Sequence, residues 1–415
     1  PYPDMGKGDP DMYKAFCWRF WHLTHSDGSV GVVLPRAAFI GPGTEKFRIT
    51  LLESGLIRDA TFLTNNGGWV FDHVHQQYTI ALLSFKRGGE AGDRVVSLRG
   101  PYADAGSYER GIAREAATFS PEEAKEWAGS ATFPLLPADP AAVEVFERMS
   151  EHPRLDLDEP GEWRARPYRE LDAANDKVKA DGTQLMHFTE DSPEGYWPVY
   201  RGASFNLWTQ DTGEYYAWAD PAVMTEHLQN KRERSYQYAG SRSAFAEMDE
   251  AWVKDPETLA CYRPRIAFRD VTNRTNSRTV ITCLIPPERF LVHQAPYILW
   301  PRGHDVNQAY LLGILSSIPL DWYSRRFVET HVTYGIFESL AIPRPATTDR
   351  IYMRVIKLAG RLAAVDDRFA GWAESVGVDY GALPEEQKQR MIYELDAVVA
   401  HLYGLTREHV EVIFE

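Results

Sequence analysis

The feature that most constrains the fold of this chain is a short run of small and apolar residues, SVGVVL, at positions 29–34. Pro35 follows it directly and closes it, because proline lacks the N–H that a strand interior requires. A run of this kind is typical of a parallel strand that other layers cover on both faces. We therefore predict an α/β fold in which this strand lies inside a sheet.

Helical spacing flanks the predicted strand on both sides. After the strand, Phe47, Leu51 and Leu52 mark the buried face of one helix. Before it, four apolar residues recur with a similar period and predict a helix that buries them: Met12, Phe16, Phe20 and Leu23.

Two further apolar segments, residues 57–62 and 78–85, predict strands that pair with each other in antiparallel fashion. The tetrapeptide NNGG at positions 65–68 lies between them and has the residue types of a turn. The start of the chain is thus predicted to run helix, strand, helix and antiparallel strand pair.

Composition bounds the class of protein. A chain of 415 residues is long enough for two or three domains, and a formal charge of −14 argues against a surface that is basic throughout. Cys17, Cys261 and Cys283 are widely spaced and suggest no disulfide framework, which suits a reducing cytoplasm. No apolar run is long enough to span a bilayer, and His73 and His75 lack further ligands for a metal. We predict a cytoplasmic protein with neither membrane nor metal.

Positive charge is concentrated in residues 261–345, which hold ten arginines, no lysine and six acidic residues. Within this segment, residues 266–268 and 280–285 predict two strands, and the polar sequence DVTNRTNSR at 270–278 predicts an exposed hairpin tip. Arginine pairs with guanine and asparagine with adenine in the major groove. The alternative is a solvated hairpin with a chance cluster of arginines. The candidate DNA contacts are Arg265, Arg269, Asn273, Arg274, Asn276 and Arg278.

The first 87 residues resemble the second half of the catalytic domain of adenine-specific DNA methyltransferases. The likeness is to the large fused enzymes of Type IIG restriction–modification and of phage-defence systems such as BREX. The matching residues are Asp11, Tyr13 and Phe16 in the first helix, Leu34-Pro35 at the end of the strand, Arg48 in the next helix and Val70-Phe71 before the last strand.

The resemblance implies S-adenosylmethionine as methyl donor and two aromatic site residues. Phe16 would pack near the adenine ring of the donor, and Phe71 would stack on a target adenine flipped out of the duplex. The alternative for both is an ordinary place in the core. The glycine-rich donor motif and the asparagine-proline-proline-aromatic motif of the family are absent from this chain. We therefore expect the chain to be the C-terminal part of a larger protein.

Residues 197–345 resemble the target-recognition domain of the same fused enzymes. The matching elements, in order, are Tyr200-Arg201-Gly202, Arg269-Asp270, the helix-forming stretch 309–327 and the ending 340–345, and residues 394–406 resemble the closing helix of the family. The implied fold class is α/β: the C-terminal half of a Rossmann-like class I methyltransferase sheet, a mixed α+β target-recognition domain and C-terminal helices.

The predicted domains are the half-sheet at 1–87, a connector with short helices at 88–190, the target-recognition domain at 191–345 and a helical segment at 346–415. The predicted function is site-specific N6-adenine methylation of double-stranded DNA in a restriction–modification or phage-defence system, with other subunits of that system as further partners. The alternative is a non-catalytic DNA-recognition module or specificity subunit that works with a separate catalytic subunit.

Overall fold

The computed structural model describes residues 5–6, 10–88, 95–126, 131–136, 139–157, 163–240 and 243–414. The strands in these ranges are β1 (Ser29–Pro35), β2 (Gly55–Thr64), β3 (Thr79–Arg87), β4 (Val96–Tyr102), β5 (Ala117–Phe119), β6 (Arg166–Tyr168), β7 (Trp197–Tyr200), β8 (Ala217–Ala219), β9 (Arg265–Phe268), β10 (Thr282–Ile285), β11 (Phe290–Leu291) and β12 (Tyr297–Leu299). The α-helices are α1 (Met12–Leu23), α2 (Ala37–Ile40), α3 (Glu45–Ser54), α4 (Ala105–Ile112), α5 (Pro121–Glu126), α6 (Pro140–Ser150), α7 (Pro221–Tyr238), α8 (Glu250–Lys254), α9 (Asp305–Leu315), α10 (Ile318–Ser324), α11 (Tyr334–Glu338), α12 (Arg350–Ala363), α13 (Ala370–Val376), α14 (Glu385–Leu402) and α15 (Arg407–Phe414).

The first sheet has the strand order β1-β3-β2-β4-β5. Strand β3 lies between β1 and β2 and is antiparallel to both, which confirms the predicted antiparallel pair. Strand β4 runs parallel to β2. Strands β1, β2 and β4 therefore end on the same side of the sheet, at Pro35, Thr64 and Tyr102, and we call this side the carboxyl edge.

The sheet continues beyond residue 87, where the sequence predicted its end. Strand β4 pairs with β2, and β5 pairs with β4, so both belong to the first sheet although they lie in the predicted connector. Strand β6 also lies in that connector and pairs with β12 of the second sheet. The segment at 88–190 therefore contributes strands to both sheets.

Helix α1 buries a different face from the one predicted. Cys17, Trp18 and Trp21 are buried, whereas Met12 and Phe16 of the predicted face are exposed. Trp18 and Trp21 have the largest apolar surfaces of the helix, and both therefore pack against the layer formed by the sheet and α3. The ring of Trp18 meets Phe47 of α3 edge to face at 5.8 Å, and Trp21 stacks on β3.

Strand β1 is not covered on both faces, contrary to the prediction. Among the described residues it pairs with β3 alone, so it forms one margin of the sheet. Burial alternates along it, and the side chain of Val33 is 53% exposed. An apolar margin strand of this kind offers unpaired backbone groups to further strands.

The second half of the chain contains a four-stranded sheet, β10-β9-β12-β6, and a three-stranded sheet, β11-β7-β8. Strands β9 and β10 pair in antiparallel register with Ile266 opposite Leu284, which confirms the predicted hairpin. The predicted helix at 309–327 is two helices, α9 and α10. The chain turns at Ser316 and Ser317, and Pro319 lies in the first turn of α10, where a missing N–H costs nothing.

One continuous apolar core joins the first sheet to the C-terminal helices. Phe39 and Phe62 of the sheet layer, Tyr310 of α9 and Tyr352 of α12 all belong to it. Helix α12 packs on α9 and α14, so the segment after residue 346 is helical as predicted. Among the described residues, no helix is both long and apolar enough to cross a membrane.

Candidate nucleic-acid interface

The loop at residues 65–78, which we call the Phe71 loop, leaves β2 and enters β3 at the carboxyl edge of the first sheet. Asn65 opens the loop and its side chain is fully buried. Its Nδ2 donates to the carbonyls of Phe71 and Val74, both at 2.8 Å, and its Oδ1 accepts from the amides of Val70 at 3.1 Å and Phe71 at 3.0 Å. One buried amide thus holds both backbone groups of Phe71.

Phe71 itself is 43% exposed, although Asn65 of this clamp is buried. Trp69 anchors the loop by donating its Nε1–H to the Thr64 carbonyl at 2.8 Å, with its ring 6.4 Å from Tyr108. Tyr78 at the end of the loop is also exposed. The loop therefore presents aromatic surface on a backbone that internal hydrogen bonds fix in place.

The turn between β9 and β10, residues 269–281, is the predicted hairpin tip. It is not a free ribbon, because Arg325 at the end of α10 grips its backbone. The Nη1 of Arg325 donates to the Arg274 carbonyl, and its Nη2 donates to the carbonyls of Asn276 and Ser277, all at 2.8 Å.

Asp321 of α10 fixes the returning side of the hairpin tip. Its Oδ1 accepts from the backbone amides of Thr279 at 2.7 Å and Val280 at 2.8 Å, and its Oδ2 accepts from Arg325 Nε at 2.9 Å. The Asp321 side chain is buried. A carboxylate and a guanidinium that pair with each other therefore clamp the tip from both sides.

The prediction for Arg265 is corrected, because this residue lies in the interior. Its Nη2 donates to the Glu170 carboxylate at 3.0 Å, and both side chains are buried. Its Nη1 donates to the Ala260 carbonyl at 2.8 Å, and its guanidinium lies 5.3 Å from the ring centre of Tyr297. An enclosed and neutralised guanidinium has no surface to offer a DNA groove, so Arg265 is left out of the proposed contacts.

Arg269 and Arg278 also serve as internal ties. The guanidinium of Arg269 donates to the Phe205 carbonyl, with its Nε at 3.2 Å, and Arg278 donates to the Ser316 carbonyl. Burial lowers the pKa of both arginines, in line with their partly enclosed positions. Some of the arginines in residues 261–345 thus serve to bind backbone carbonyls inside the protein. Arg269 and Arg278 are therefore also left out of the proposed DNA contacts.

The remaining three candidates lie on the outer part of the hairpin tip. Asn273 shapes the turn, since its Oδ1 accepts from the backbone amide and the hydroxyl of Thr275 at 2.9 and 2.8 Å. Asn276 is exposed, and Arg274 is half-buried with its pKa lowered by burial. These residues stay predicted DNA contacts.

Glu329 brings the Phe71 loop and the hairpin tip together. Its Oε1 accepts from the backbone amide of Thr79, the residue after the loop, at 2.6 Å. Its charge also acts on Arg274, whose pKa it raises against the larger effect of burial. Arg325, just after α10, holds the hairpin tip, and Glu329 follows it by only four residues, so the two clamped segments come to the same side of the protein.

A buried arginine lies behind this junction. Arg36 follows β1 directly, donates its Nη2 to the Arg326 carbonyl at 3.1 Å and lies 4.7 Å from the ring centre of Phe62. Its Nε and Nη1 have no hydrogen-bond partner among the described residues, and burial lowers its pKa to about 9. Arg36 was missed from the sequence, although a basic residue two positions after a predicted strand is a signal that could have found it. Asn65, Asp321, Arg325 and Glu329 were missed.

Phe16 is the residue that the resemblance to methyltransferases would place beside the methyl donor. The Phe16 ring is 46% exposed on α1 and stacks on Phe20 at 5.8 Å. A single exposed ring does not by itself form a binding pocket for S-adenosylmethionine. Within the described parts of the chain, no three His, Cys, Asp or Glu side chains are grouped to hold a metal ion.

No protein-family model matches this chain, and no curated protein matches it. It aligns with solved structures of restriction–modification enzymes. One is the Type IIL enzyme MmeI in complex with DNA, with 11% identity over 97% of this chain and 50% of that chain and a TM-score of 0.45. Another is the type IIG restriction endonuclease BpuSI, with 12% identity over 100% of this chain and 51% of that chain and a TM-score of 0.34. The chain spans about half the length of both. These identities and TM-scores are too low to assign a function to this chain.

Proposed function

We propose that this chain is part of a site-specific DNA N6-adenine methyltransferase that uses S-adenosylmethionine and serves a restriction–modification or phage-defence system. The observation that carries the proposal is the position of Phe71. Its ring is exposed, both of its backbone groups are fixed by a buried amide, and it lies on the side of the molecule that the hairpin tip also reaches.

The chemistry requires an aromatic group in this position. Adenine must leave the duplex before its amino group is accessible, and stacking on a ring offsets part of the unstacking cost of a few kcal/mol. S-Adenosylmethionine supplies the methyl group when bound. Phe71 stacks the flipped base, and Asn65 keeps the ring where the base arrives. Most of the rate in such a reaction comes from holding the reactants in line.

The hairpin tip supplies the contact to double-stranded DNA in this proposal. Asn276 is exposed and offers its side-chain amide, whose Nδ2 also donates to Thr272 Oγ1 at 3.4 Å, to a base edge. Arg274 offers positive charge for a phosphate. Asn273 holds the turn that presents them. The clamp by α10 fixes the tip in advance, so little conformational freedom is lost on binding.

The open margin of the first sheet also supports the proposal. The order of elements from α1 to β3 is the order that the methyltransferase resemblance implies, with the strand ending at Leu34-Pro35. Strand β1 leaves Val33 exposed and one row of backbone groups unpaired among the described residues. Further parallel strands of a class I sheet would cover both.

The test is made on the intact protein in its own host. Single-molecule sequencing of host DNA reads N6-methyladenine directly, and we expect it at one short recurring sequence. Replacing Phe71 by Ala should lower methylation of that sequence at least about fivefold, because base–aromatic stacking contributes roughly 1–3 kcal/mol. Phe71→Tyr, which keeps the ring, should retain most of the methylation.

Arg407→Ala is the matched control, since Arg407 is exposed on α15 and, among the described residues, pairs with Glu411 alone, at 3.0 Å. Unchanged methylation in Phe71→Ala would contradict the stacking role. Host DNA without any methylated sequence that depends on this gene would reject the methyltransferase proposal. If the purified protein transfers methyl groups only after a second subunit is added, the recognition-module alternative holds.

A further inference from the structure

A cavity of about 220 Å³ lies in the second half of the molecule, where β9 and β12 meet the start of α9. Helices α7 and α8 close its other side through Leu228, Arg232 and Trp252. The cavity uses none of the residues proposed to bind DNA or to stack the target base. It is therefore a separate site that the proposed function leaves unexplained.

Aromatic side chains form much of the cavity wall: Tyr168, Phe245, Trp252, Tyr297 and Trp300. These rings support one another, since Tyr168 meets Phe245 at 5.2 Å and Tyr297 at 5.7 Å, both edge to face. Gly303 lies against the indole of Trp300, and a Cβ added there would come within 2.5 Å of the ring. A wall of mutually braced rings is suited to a flat, conjugated ligand.

The charged groups of the cavity favour an anion. Four basic and two acidic residues line it: Lys231, Arg232, Arg263, Arg265, Glu170 and Asp305. Glu170 neutralises Arg265, and Asp176 pairs with Lys231 at 2.7 Å, so Arg232 and Arg263 are the cations left to offset Asp305. Arg232 and Arg265 are buried, and the Nε of each has no hydrogen-bond partner in the described part of the chain.

Arg263 is the cation best placed to meet an incoming ligand. Its side chain is exposed and makes no hydrogen bond or ion pair with the described residues. Helix α9 begins at the same wall, where His304, Asp305 and Gln308 line the cavity. The N-terminus of an α-helix adds a further partial positive charge, although the Asp305 carboxylate offsets part of it.

We infer that this cavity binds a free mononucleotide, with the nucleobase against the aromatic wall and the phosphate at Arg263. A cavity of about 220 Å³ is smaller than the roughly 300–1,000 Å³ of sites for drug-sized ligands, so a base and its ribose fill it and the phosphate lies at the mouth. A dinucleotide or a longer strand would not fit inside.

The cavity lies apart from the hairpin tip that is proposed to contact DNA. Arg265 lines the cavity at one end of β9, and the hairpin tip begins after the other end, about 13 Å away at the rise of a strand. Helix α9 spans the same interval, with its first turn at the cavity and the Ser316 carbonyl at its end bound by Arg278 of the tip. A nucleotide and DNA are therefore expected to bind at the same time.

The test is isothermal titration calorimetry on the intact protein with AMP, GMP, CMP and UMP, and with the matching nucleosides and inorganic phosphate. We expect one-to-one binding of at least one monophosphate. Its nucleoside should bind about tenfold more weakly, the size of one charge-assisted contact, and phosphate alone should give no measurable heat.

Two variants locate the site. Trp252→Leu should weaken binding at least about fivefold by removing a stacking surface, and Arg263→Gln should weaken binding of the monophosphate but not of the nucleoside. Arg407→Gln, an exposed arginine far from the cavity in sequence, is the control and should bind as the parent does. Arg263 is exposed, so its replacement is expected to leave folding intact.

Three results would overturn the inference. The first is the absence of binding by all four monophosphates up to about 1 mM, a concentration that corresponds to a weak complex. The second is equal affinity for phosphate alone and for the best monophosphate, which would make the cavity a simple anion site. The third is unchanged affinity in both Trp252→Leu and Arg263→Gln, which would place the ligand elsewhere.

Discussion

The Phe71 loop and the hairpin tip reach the same side of the molecule but are held in place in opposite ways. The loop is held from within, by its own first residue, Asn65. The hairpin tip is held from outside, by Asp321 and Arg325 of α10, which lie more than 40 residues further along the chain. The conformation of the loop is therefore fixed by hydrogen bonds within the loop, whereas the conformation of the tip depends on the docking of a helix.

This difference has a physical consequence for binding. A change that loosens α10 releases the hairpin tip and leaves the Phe71 loop intact, while a change at Asn65 does the reverse. Glu329 is the point at which the two systems touch, through the amide of Thr79. Variants in α10 should therefore affect target recognition, and variants at Asn65 should affect base stacking.

The largest effect is expected at Asp321. Asp321→Ala leaves the amides of Thr279 and Val280 buried without an acceptor and removes the partner of Arg325. Two unsatisfied buried amides, at roughly 1–3 kcal/mol each, give an expected loss of about 2–6 kcal/mol in the free energy of local opening. Hydrogen exchange of peptides covering residues 270–285 measures that loss directly.

Asp321→Asn provides the matched comparison, because it keeps one oxygen acceptor for the two amides while the charge and the oxygen that accepts from Arg325 are lost. It should retain more than half of the protection that Asp321→Ala loses. Equal protection in Asp321→Ala and the parent would show that α10 does not hold the tip. Faster exchange in residues 65–78 of the same variant would show that the loop and the tip are not independent.

A smaller effect is expected at Asn65. Asn65→Ala removes four hydrogen bonds, all of them only partly buried, so water can replace about half of their energy. At roughly 0.5–1.5 kcal/mol each, the free energy of local opening should fall by about 1–3 kcal/mol. The amides of Val70 and Phe71 should lose their protection from exchange, while residues 270–285 keep theirs. Intact protection at Val70 and Phe71 would contradict the clamp.

The two regions also differ in how far the sequence predicted them. The NNGG turn and both flanking strands were predicted because each depends on neighbouring residues, and Asn65 itself lies in that turn. The clamp on the hairpin tip depends on a contact across more than 40 residues, which no local pattern records. The same reason accounts for Arg265, whose partner Glu170 lies 95 residues away. The buried face of α1 was mistaken because spacing does not show that Trp18 and Trp21 meet a phenylalanine layer.

The smallest effects are expected at the outer hairpin tip, and they sort the two kinds of DNA contact. Asn276 is exposed, so Asn276→Ala should reduce the preference for the methylated sequence over a scrambled duplex by about 1–3 kcal/mol if its amide pairs with a base. Arg274 is half-buried beside Glu329, which suits a phosphate contact. Arg274→Ala should weaken binding to both duplexes equally and lower the slope of affinity against salt by about one.

Fluorescence anisotropy with both duplexes at several salt concentrations measures these quantities. Ser277→Ala is the control, since Ser277 is exposed in the same turn and, within the described part of the chain, its backbone carbonyl is bound by Arg325 while its hydroxyl makes no hydrogen bond. Unchanged affinity and salt slope in both Asn276→Ala and Arg274→Ala would show that the hairpin tip does not contact DNA. A retained effect of Phe71→Ala on methylation would then show that the Phe71 loop meets DNA without it.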